Sequence, residues 1–271
     1  MLPPVPKLIQ LRGMTTASVI VLPLPQTSVQ PALPKGLTLA PQKLTPAGTH
    51  PVLFTFTESV GVHFTVTQLK LPSLQGYRGV VLQIPYVHRD DDSRLYIYPV
   101  RLYLNQVIPL LAGWMGYSLP QRLVKIEASQ TGYEIKSLRN ARLLSAQFEP
   151  VGDRASLAAF PHFQRGMAQL LAQPLLIKYP PFKKLPGTFF CASLTYHLDE
   201  PNPVQIKPAD HSVERAQLQA VNVKIQLFHQ FTQKFLPHSA GNYTTTNLQE
   251  SPLGAFRLWS RWSLGPCRQT S

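Results

Sequence analysis

Short runs of β-branched and aromatic residues recur along the chain, each closed by proline, glycine or polar residues. Three of them are Val52-Leu53-Phe54-Thr55-Phe56-Thr57, Val80-Val81-Leu82-Gln83-Ile84-Pro85-Tyr86 and Leu95-Tyr96-Ile97-Tyr98-Pro99-Val100. Two more are Leu123-Val124-Lys125-Ile126-Glu127 and Gly132-Tyr133-Glu134-Ile135-Lys136-Ser137-Leu138. Further strands are expected over residues 175–179, 188–197 and 216–227. Many short strands with turn signals between them predict a sandwich or barrel. The run Arg89-Asp90-Asp91-Asp92-Ser93-Arg94 divides two strands and reads as a charged hairpin turn.

Helical patterning is sparse. Asn105 is placed to cap a helix over 106–115, in which Pro109 is tolerated because it lies in the first turn. Gly116 follows as a stop. Over 162–172, Phe163, Met167, Leu170 and Leu171 fall on one helical face. In residues 256–264, aromatic residues recur at a spacing of three (Phe256, Trp259, Trp262) and arginines at four (Arg257, Arg261). That spacing predicts a short amphipathic helix. The organisation expected is an N-terminal extension over 1–32, one β-rich domain over 33–239 and a peripheral tail over 240–271. Residues 1–13 read as unstructured, with Met14 a candidate natural start.

Composition narrows the function. Prolines number 27, which forbids long helices. No apolar run approaches the ~20 residues of a membrane helix, so no membrane partner is expected. The formal charge is +13, from 26 Lys+Arg against 13 Asp+Glu. The cations are spread singly, with Lys183-Lys184 the adjacent pair, and no nucleic-acid motif accompanies them. A basic surface, or a pocket for an anionic substrate, is expected in place of nucleic-acid binding. The two cysteines are no disulfide framework: Cys191 reads as core and Cys267 as tail, which points to a reducing cytoplasm. The eight histidines lack metal-ligand spacing, and the aspartate run lacks the glycine and glutamate of a calcium loop. No metal or cofactor is expected. Nucleophile elbows, phosphate loops and dinucleotide glycine patterns do not occur.

One ordered set of segments resembles the acetoacetate decarboxylase family. It comprises Tyr98-Pro99-Val100-Arg101-Leu102-Tyr103-Leu104-Asn105, a helix, and Gly113-Trp114-Met115-Gly116-Tyr117-Ser118-Leu119-Pro120-Gln121-Arg122-Leu123. Flanking segments agree in order: Leu33-Pro34-Lys35-Gly36-Leu37, Gly76-Tyr77, Gln173-Pro174-Leu175-Leu176 and Ile206-Lys207-Pro208-Ala209-Asp210. The resemblance covers roughly residues 33–228. It implies an open, cone-like β-barrel around a buried apolar pocket, a small-molecule ligand, and assembly as a homo-oligomer.

The family's chemistry uses a lysine that condenses with the ketone of a β-keto acid, beside a second cation that depresses its pKa. On this sequence those two positions are Gln121 and Arg122. Glutamine cannot form an imine, and arginine stays charged. Tyr77 keeps the tyrosine of a strand whose glutamate position is Gly79. Arg122 has two readings, a surface cation or a two-bond carboxylate anchor. Lys125 shares a strand face with Gln121 but lies about 13 Å along it. It is either a strand-end lysine paired with Glu127 or Glu134, or a relocated nucleophile. The candidate pocket is therefore Gln121, Arg122, Tyr77, Tyr117 and Lys125. The expected function is binding of a small organic acid or carbonyl compound without imine-based decarboxylation. The alternatives are an enzyme acting on β-keto acid-like substrates, through acid–base groups such as Tyr117 or Glu127 or through Lys125, and a structural protein that binds a partner.

Overall fold

The computed structural model describes residues 9–66, 69–70, 73–117, 119–178, 189–198 and 216–267. The described residues form fifteen strands. The first seven are β1 (Ile9–Pro25), β2 (Leu37–Leu39), β3 (Thr49–Val66), β4 (Leu69–Lys70), β5 (Leu74–Arg89), β6 (Asp92–Leu104) and β7 (Gln121–Leu123). The remainder are β8 (Lys125–Ser129), β9 (Gly132–Lys136), β10 (Arg142–Ser156), β11 (Leu175–Lys178), β12 (Phe189–His197), β13 (Gln217–Leu227), β14 (Gly241–Thr245) and β15 (Phe256–Pro266). Short helices punctuate them: α1 (Gln26–Val29), α2 (Val107–Tyr117), α3 (Ala168–Leu171), which follows a π-helical turn at Phe163–Met167, and α4 (His229–Thr232).

The strands lie in one sheet, ordered β1-β3-β5-β6-β11-β12-β15-β13-β10-β9-β8, and β1 also pairs with β15. Seven strands, β1, β3, β5, β6, β11, β12 and β15, therefore close into a ring. Closure satisfies the backbone donors and acceptors that an open edge would leave to solvent. At β15 the sheet divides: residues 261–266 pair with β12, and residues 256–259 pair with β13. The branch β13-β10-β9-β8 folds back over the outside of the ring.

Alternation along the ring strands builds two cores. In β3, Val52, Phe54 and Phe56 point outward into the layer beneath the branch. There Phe56 meets Tyr133 and Phe148 at ring-centroid distances of 5.1 and 5.5 Å. The intervening Thr55, Thr57 and Ser59 point into the lumen. β5 repeats this, with Val80, Leu82 and Ile84 outward and Tyr77, Val81 and Gln83 inward. In β6 the register slips by one residue opposite Leu82/Gln83. That bulge brings Pro99, Leu102 and Leu104 to the inner face, and it is where a proline is tolerated in a sheet. One end of the lumen is filled by Phe163, Met167 and Leu170, packed on Val19, Val21 and Leu53.

The β-rich barrel and most of the expected strands are present. The 123–127 run is broken at buried Val124, between β7 and β8. The hairpin between β5 and β6 turns at Asp90-Asp91, with Arg89 opposite Asp92. The 106–115 helix is α2, although the Asn105 side chain accepts from the Arg78 backbone N–H across the strands at 2.9 Å.

Three expectations fail. The proposed extension contains β1, which pairs with β3 along its whole length and with β15; even residues 9–13 are in the ladder. The proposed tail contains β14 and β15, and β15 is a strand, not an amphipathic helix. Both of its faces are covered: Phe256, Leu258 and Ser260 are fully buried, Trp259 is 4% exposed and Trp262 8%. The aromatic spacing of three reflects burial on two faces. Finally, Cys191 and Cys267 are disulfide-bonded, with Cα atoms 5.4 Å apart. They are cross-strand neighbours at the β12–β15 seam, where the Cys267 N–H donates to the Cys191 carbonyl. Only the pairing of β15 brings Cys267 there, and the argument for a reducing compartment falls with it.

Candidate functional site: a cavity in the barrel lumen

The ring encloses a cavity of about 130 Å³, to which each of its seven strands contributes. The walls are mainly apolar: Leu11, Phe64, Val81, Leu102 and Leu264 are among them, and Pro109 and Gly113 of α2 sit over one side. About 150 Å³ of apolar cavity suffices for a benzene-sized molecule, so this volume suits a ligand of similar or slightly smaller size. No charged side chain among the described residues lines it.

The polar groups are hydroxyls, an amide and an indole. Tyr77 hydrogen-bonds Ser59. Ser59 donates to Thr15 Oγ1 at 3.5 Å, and Thr15 donates to the Glu58 carbonyl at 3.3 Å. Tyr77, Ser59, Thr15 and the Glu58 carbonyl thus form one hydrogen-bonded chain at the cavity wall. Burial pushes the Tyr77 phenol up to about 12, and it pushes Tyr196 up further, with the neighbouring Tyr77 adding to the shift. Both phenols are therefore neutral donors near pH 7. Tyr196 has no hydrogen-bond acceptor among the described residues. The Trp262 indole N–H, buried beside Gly13, also lacks one. Across the cavity, Thr55 donates to the Gln83 side-chain carbonyl at 3.5 Å.

The residues expected from the sequence scatter. Tyr77 lines the cavity. Gly79 lies on the same face of β5, between Tyr77 and Val81, and a Cβ there would meet Leu104 Cδ2 at 3.0 Å and Thr57 Oγ1 at 3.2 Å. A side chain there would have to displace Leu104 or Thr57. Gln121 is half-buried against α2: its amide fills the place a Cβ on Gly113 would take, so it stands behind the cavity wall. Arg122 is exposed and pairs in register with Tyr103, whose ring packs in the outer layer. Lys125 is exposed, and its Nζ donates to Asn140 Oδ1 at 2.6 Å. The shared face expected for residues 121 and 125 is lost at the break before β8. Glu127 and Glu134 instead share Lys136, each at 3.0 Å. The Tyr117 side chain lies outside the described residues, as do Lys183, Lys184 and the 206–210 segment. Sequence reasoning missed Tyr196 and Trp262. The signal for Trp262 was there, as an alternation through Phe256, Leu258, Ser260, Trp262 and Leu264.

A seven-strand ring closed around an apolar lumen, with a branch of the same sheet folded back over it, is an acetoacetate-decarboxylase-like fold. Solved structures bear this out. The acetoacetate decarboxylase of Legionella pneumophila superposes with a TM-score of 0.58 at 12% identity, over 96% of this chain and 85% of that one. An acetoacetate decarboxylase-like enzyme from Sphingomonas wittichii RW1 gives 0.56 at 12% identity, over 96% and 92%. The enduracididine biosynthesis enzyme MppR, complexed with pyruvate, gives 0.55 at 9% identity, over 98% and 89%. No protein-family model matches the chain, and no curated protein matches it.

Proposed function

We propose that this chain binds a small, uncharged carbonyl compound in the barrel lumen and does not form an imine with it. One observation carries the reading: among the described residues the cavity offers a free phenol donor, Tyr196, and no amine or other charged group. A carbonyl oxygen accepting from Tyr196 would satisfy a buried donor, and the apolar walls would take the hydrocarbon part. An ionised carboxylate would lose its hydration there without a cation in return, which disfavours the organic-acid form of the ligand. MppR, of similar fold, was solved in complex with pyruvate, which shares the carbonyl but carries a carboxylate that the described lining here offers no cation to receive. Of the acid–base groups expected, Glu127 is exposed and paired with Lys136, and the Tyr117 side chain lies outside the described residues; Tyr77, raised to about 12, stays protonated near pH 7. Homo-oligomeric assembly belongs to the same proposal. Val107, Ile108 and Leu111 of α2, each at least 46% exposed, are apolar surface it would cover; light scattering on a sizing column tests it.

The ligand test is a titration with cyclopentanone, followed by NMR or thermal shift, on the wild type and Tyr196→Phe. Saturable binding weakened about fivefold or more in the variant is expected, the cost of one hydrogen bond of about 1 kcal/mol. In parallel, acetoacetate is added with borohydride and the protein is mapped by mass spectrometry. A reduced adduct on any lysine, including Lys125, Lys183, Lys184 or Lys207, would overturn the imine-free reading.

A further inference from the structure

The lumen has a polar side that runs across neighbouring strands. Tyr77 of β5 is level with Ser59 of β3, and Ser59 with Thr15 of β1. Two residues back along β1, Gly13 is level with Trp262 of β15, and Trp262 with Tyr196 of β12. The ring order β5-β3-β1-β15-β12 makes this a continuous arc over five adjacent strands. Tyr77, Ser59, Thr15, Trp262 and Tyr196 all line the cavity. The facing wall, supplied by β6, β11 and α2, is apolar.

Hydrogen bonding divides these groups. Of the hydroxyls that line the cavity, Thr15 donates to the Glu58 carbonyl, Thr55 to Gln83, Thr57 to the Gly79 carbonyl and Ser59 to Thr15, and Tyr77 hydrogen-bonds Ser59. Tyr196 alone has no acceptor among the described residues. Its cross-strand neighbour on the same face is Trp262, and such pairs stand with Cβ atoms about 4.5–5.5 Å apart. Trp262 is 8% exposed, and its Nε1–H has no acceptor either. Gly13 fixes where that edge lies. A Cβ on Gly13 would come within 3.3 Å of Nε1, so the missing side chain leaves the indole edge room on the inner face of β1, between cavity-lining Leu11 and Thr15. Two buried donors thus stand side by side unpaired, and each bears the full cost of its desolvation until an acceptor arrives.

We propose that Tyr196 and Trp262 act as a donor pair, and that the lumen ligand is an uncharged compound with two acceptor oxygens, a dicarbonyl or keto ester and not a simple ketone. The proposal rests on the lumen reading above and narrows it. One oxygen accepts from the Tyr196 hydroxyl and the other from Trp262 Nε1–H, while the facing apolar wall takes the hydrocarbon part. The Gln83 amide also carries N–H groups, but it lies six residues along β5 from Tyr77, about 20 Å away at strand spacing.

Methyl acetoacetate and methyl butanoate serve as probes, because they share one chain and differ by a single ketone oxygen. Both are titrated into the full chain and followed by NMR. Wild type should bind methyl acetoacetate about fivefold or more tighter, the gain of one hydrogen bond. Trp262→Phe and Tyr196→Phe each leave one donor, so each should cut the preference to about twofold or less. A second readout needs no variant: the Trp262 indole N–H resonance, identified by its Overhauser contact to Gly13, should move downfield with methyl acetoacetate as its hydrogen bond forms. Equal affinity for the two esters in wild type overturns the pair. So does an indole resonance that saturating methyl acetoacetate leaves in place, or a preference that Trp262→Phe retains. If cyclopentanone still binds and Tyr196→Phe still weakens it, the lumen reading survives that failure. If neither cyclopentanone nor either ester binds saturably, the lumen reading falls and the donor pair falls with it.

Discussion

Gln121 has the polarity and position to be read as a drifted catalytic residue, yet its side chain spends its length filling the gap beside Gly113. Restoring an amine there by Gln121→Lys should give at most weak decarboxylation of acetoacetate, assayed by carbon dioxide release. The reason is local: at Gly79, which the resemblance matches to a carboxylate, a Cβ would already crowd Leu104 and Thr57. Adding Gly79→Glu should not rescue activity and should cost stability, about 1–3 kcal/mol for overpacking. Robust turnover in either variant would show an intact site. His50 makes a different residue-scale prediction. It is fully buried, its Nε2–H donates to the Pro85 carbonyl at 2.7 Å, and its Nδ1 has no partner. Burial holds its pKa below 6.5, against the smaller opposing effect of that hydrogen bond. The unfolded chain therefore takes up a proton at a pH where the folded chain does not. Stability is present above about 6.5 and falls as pH drops through the unfolded value, by at most about 1.4 kcal/mol per pH unit from this group. Between pH 7.5 and 5.5 the melting temperature should fall more in wild type than in His50→Gln, whose amide can still donate to Pro85. Equal slopes would remove His50 as the cause.

Among the elements, β15 carries the most. It closes the ring on β1, holds β12 on one stretch and β13 on another, and supplies Trp262 to the lumen. Its last turn of sheet is fixed by the disulfide to β12, closing a loop with a sequence separation of 76. Cys267→Ser, or reduction with dithiothreitol, should lower stability by about 2–4 kcal/mol in denaturant melts. An unchanged melt under reducing conditions would mean that the seam holds without the bond. The strands of the middle of the chain were legible from their runs because period-2 alternation is a local signal. β15 was not, because its aromatic spacing of three and arginine spacing of four fit a helix as well as the alternation through Phe256, Leu258, Ser260, Trp262 and Leu264 fits a strand. β1 was discounted because its second half is apolar on both faces, which removes the alternation, and its first half is of mixed polarity, where Arg12 and Thr15 are paired by β3 and β15.

At the scale of the molecule, the barrel is closed by the two ends of the chain. β1 and β15 lie side by side over residues 11–19 and 256–264. Truncation at Ala240 would remove β14 and β15 and leave β1, β12 and β13 with unpaired edges. Soluble, cooperatively folding protein should be lost; a truncated chain that still melts cooperatively would contradict the ring. The cavity is also a property of the whole, since its walls come from all seven ring strands and α2.

The sequence by itself determined the β-rich character, most strand positions, the hairpin at Asp90-Asp91 and the absence of an amine at residue 121. Each is local: alternation, turn chemistry and side-chain identity survive without knowledge of neighbours. Only the tertiary structure decided which side chains meet. It took Lys125 and Arg122 away from the lumen, because a one-residue break or register shift moves a side chain to the other face of a strand. It brought Tyr196 and Trp262 to Tyr77, and Cys267 to Cys191, because strand pairing joins residues far apart in the chain by contacts that no local pattern records.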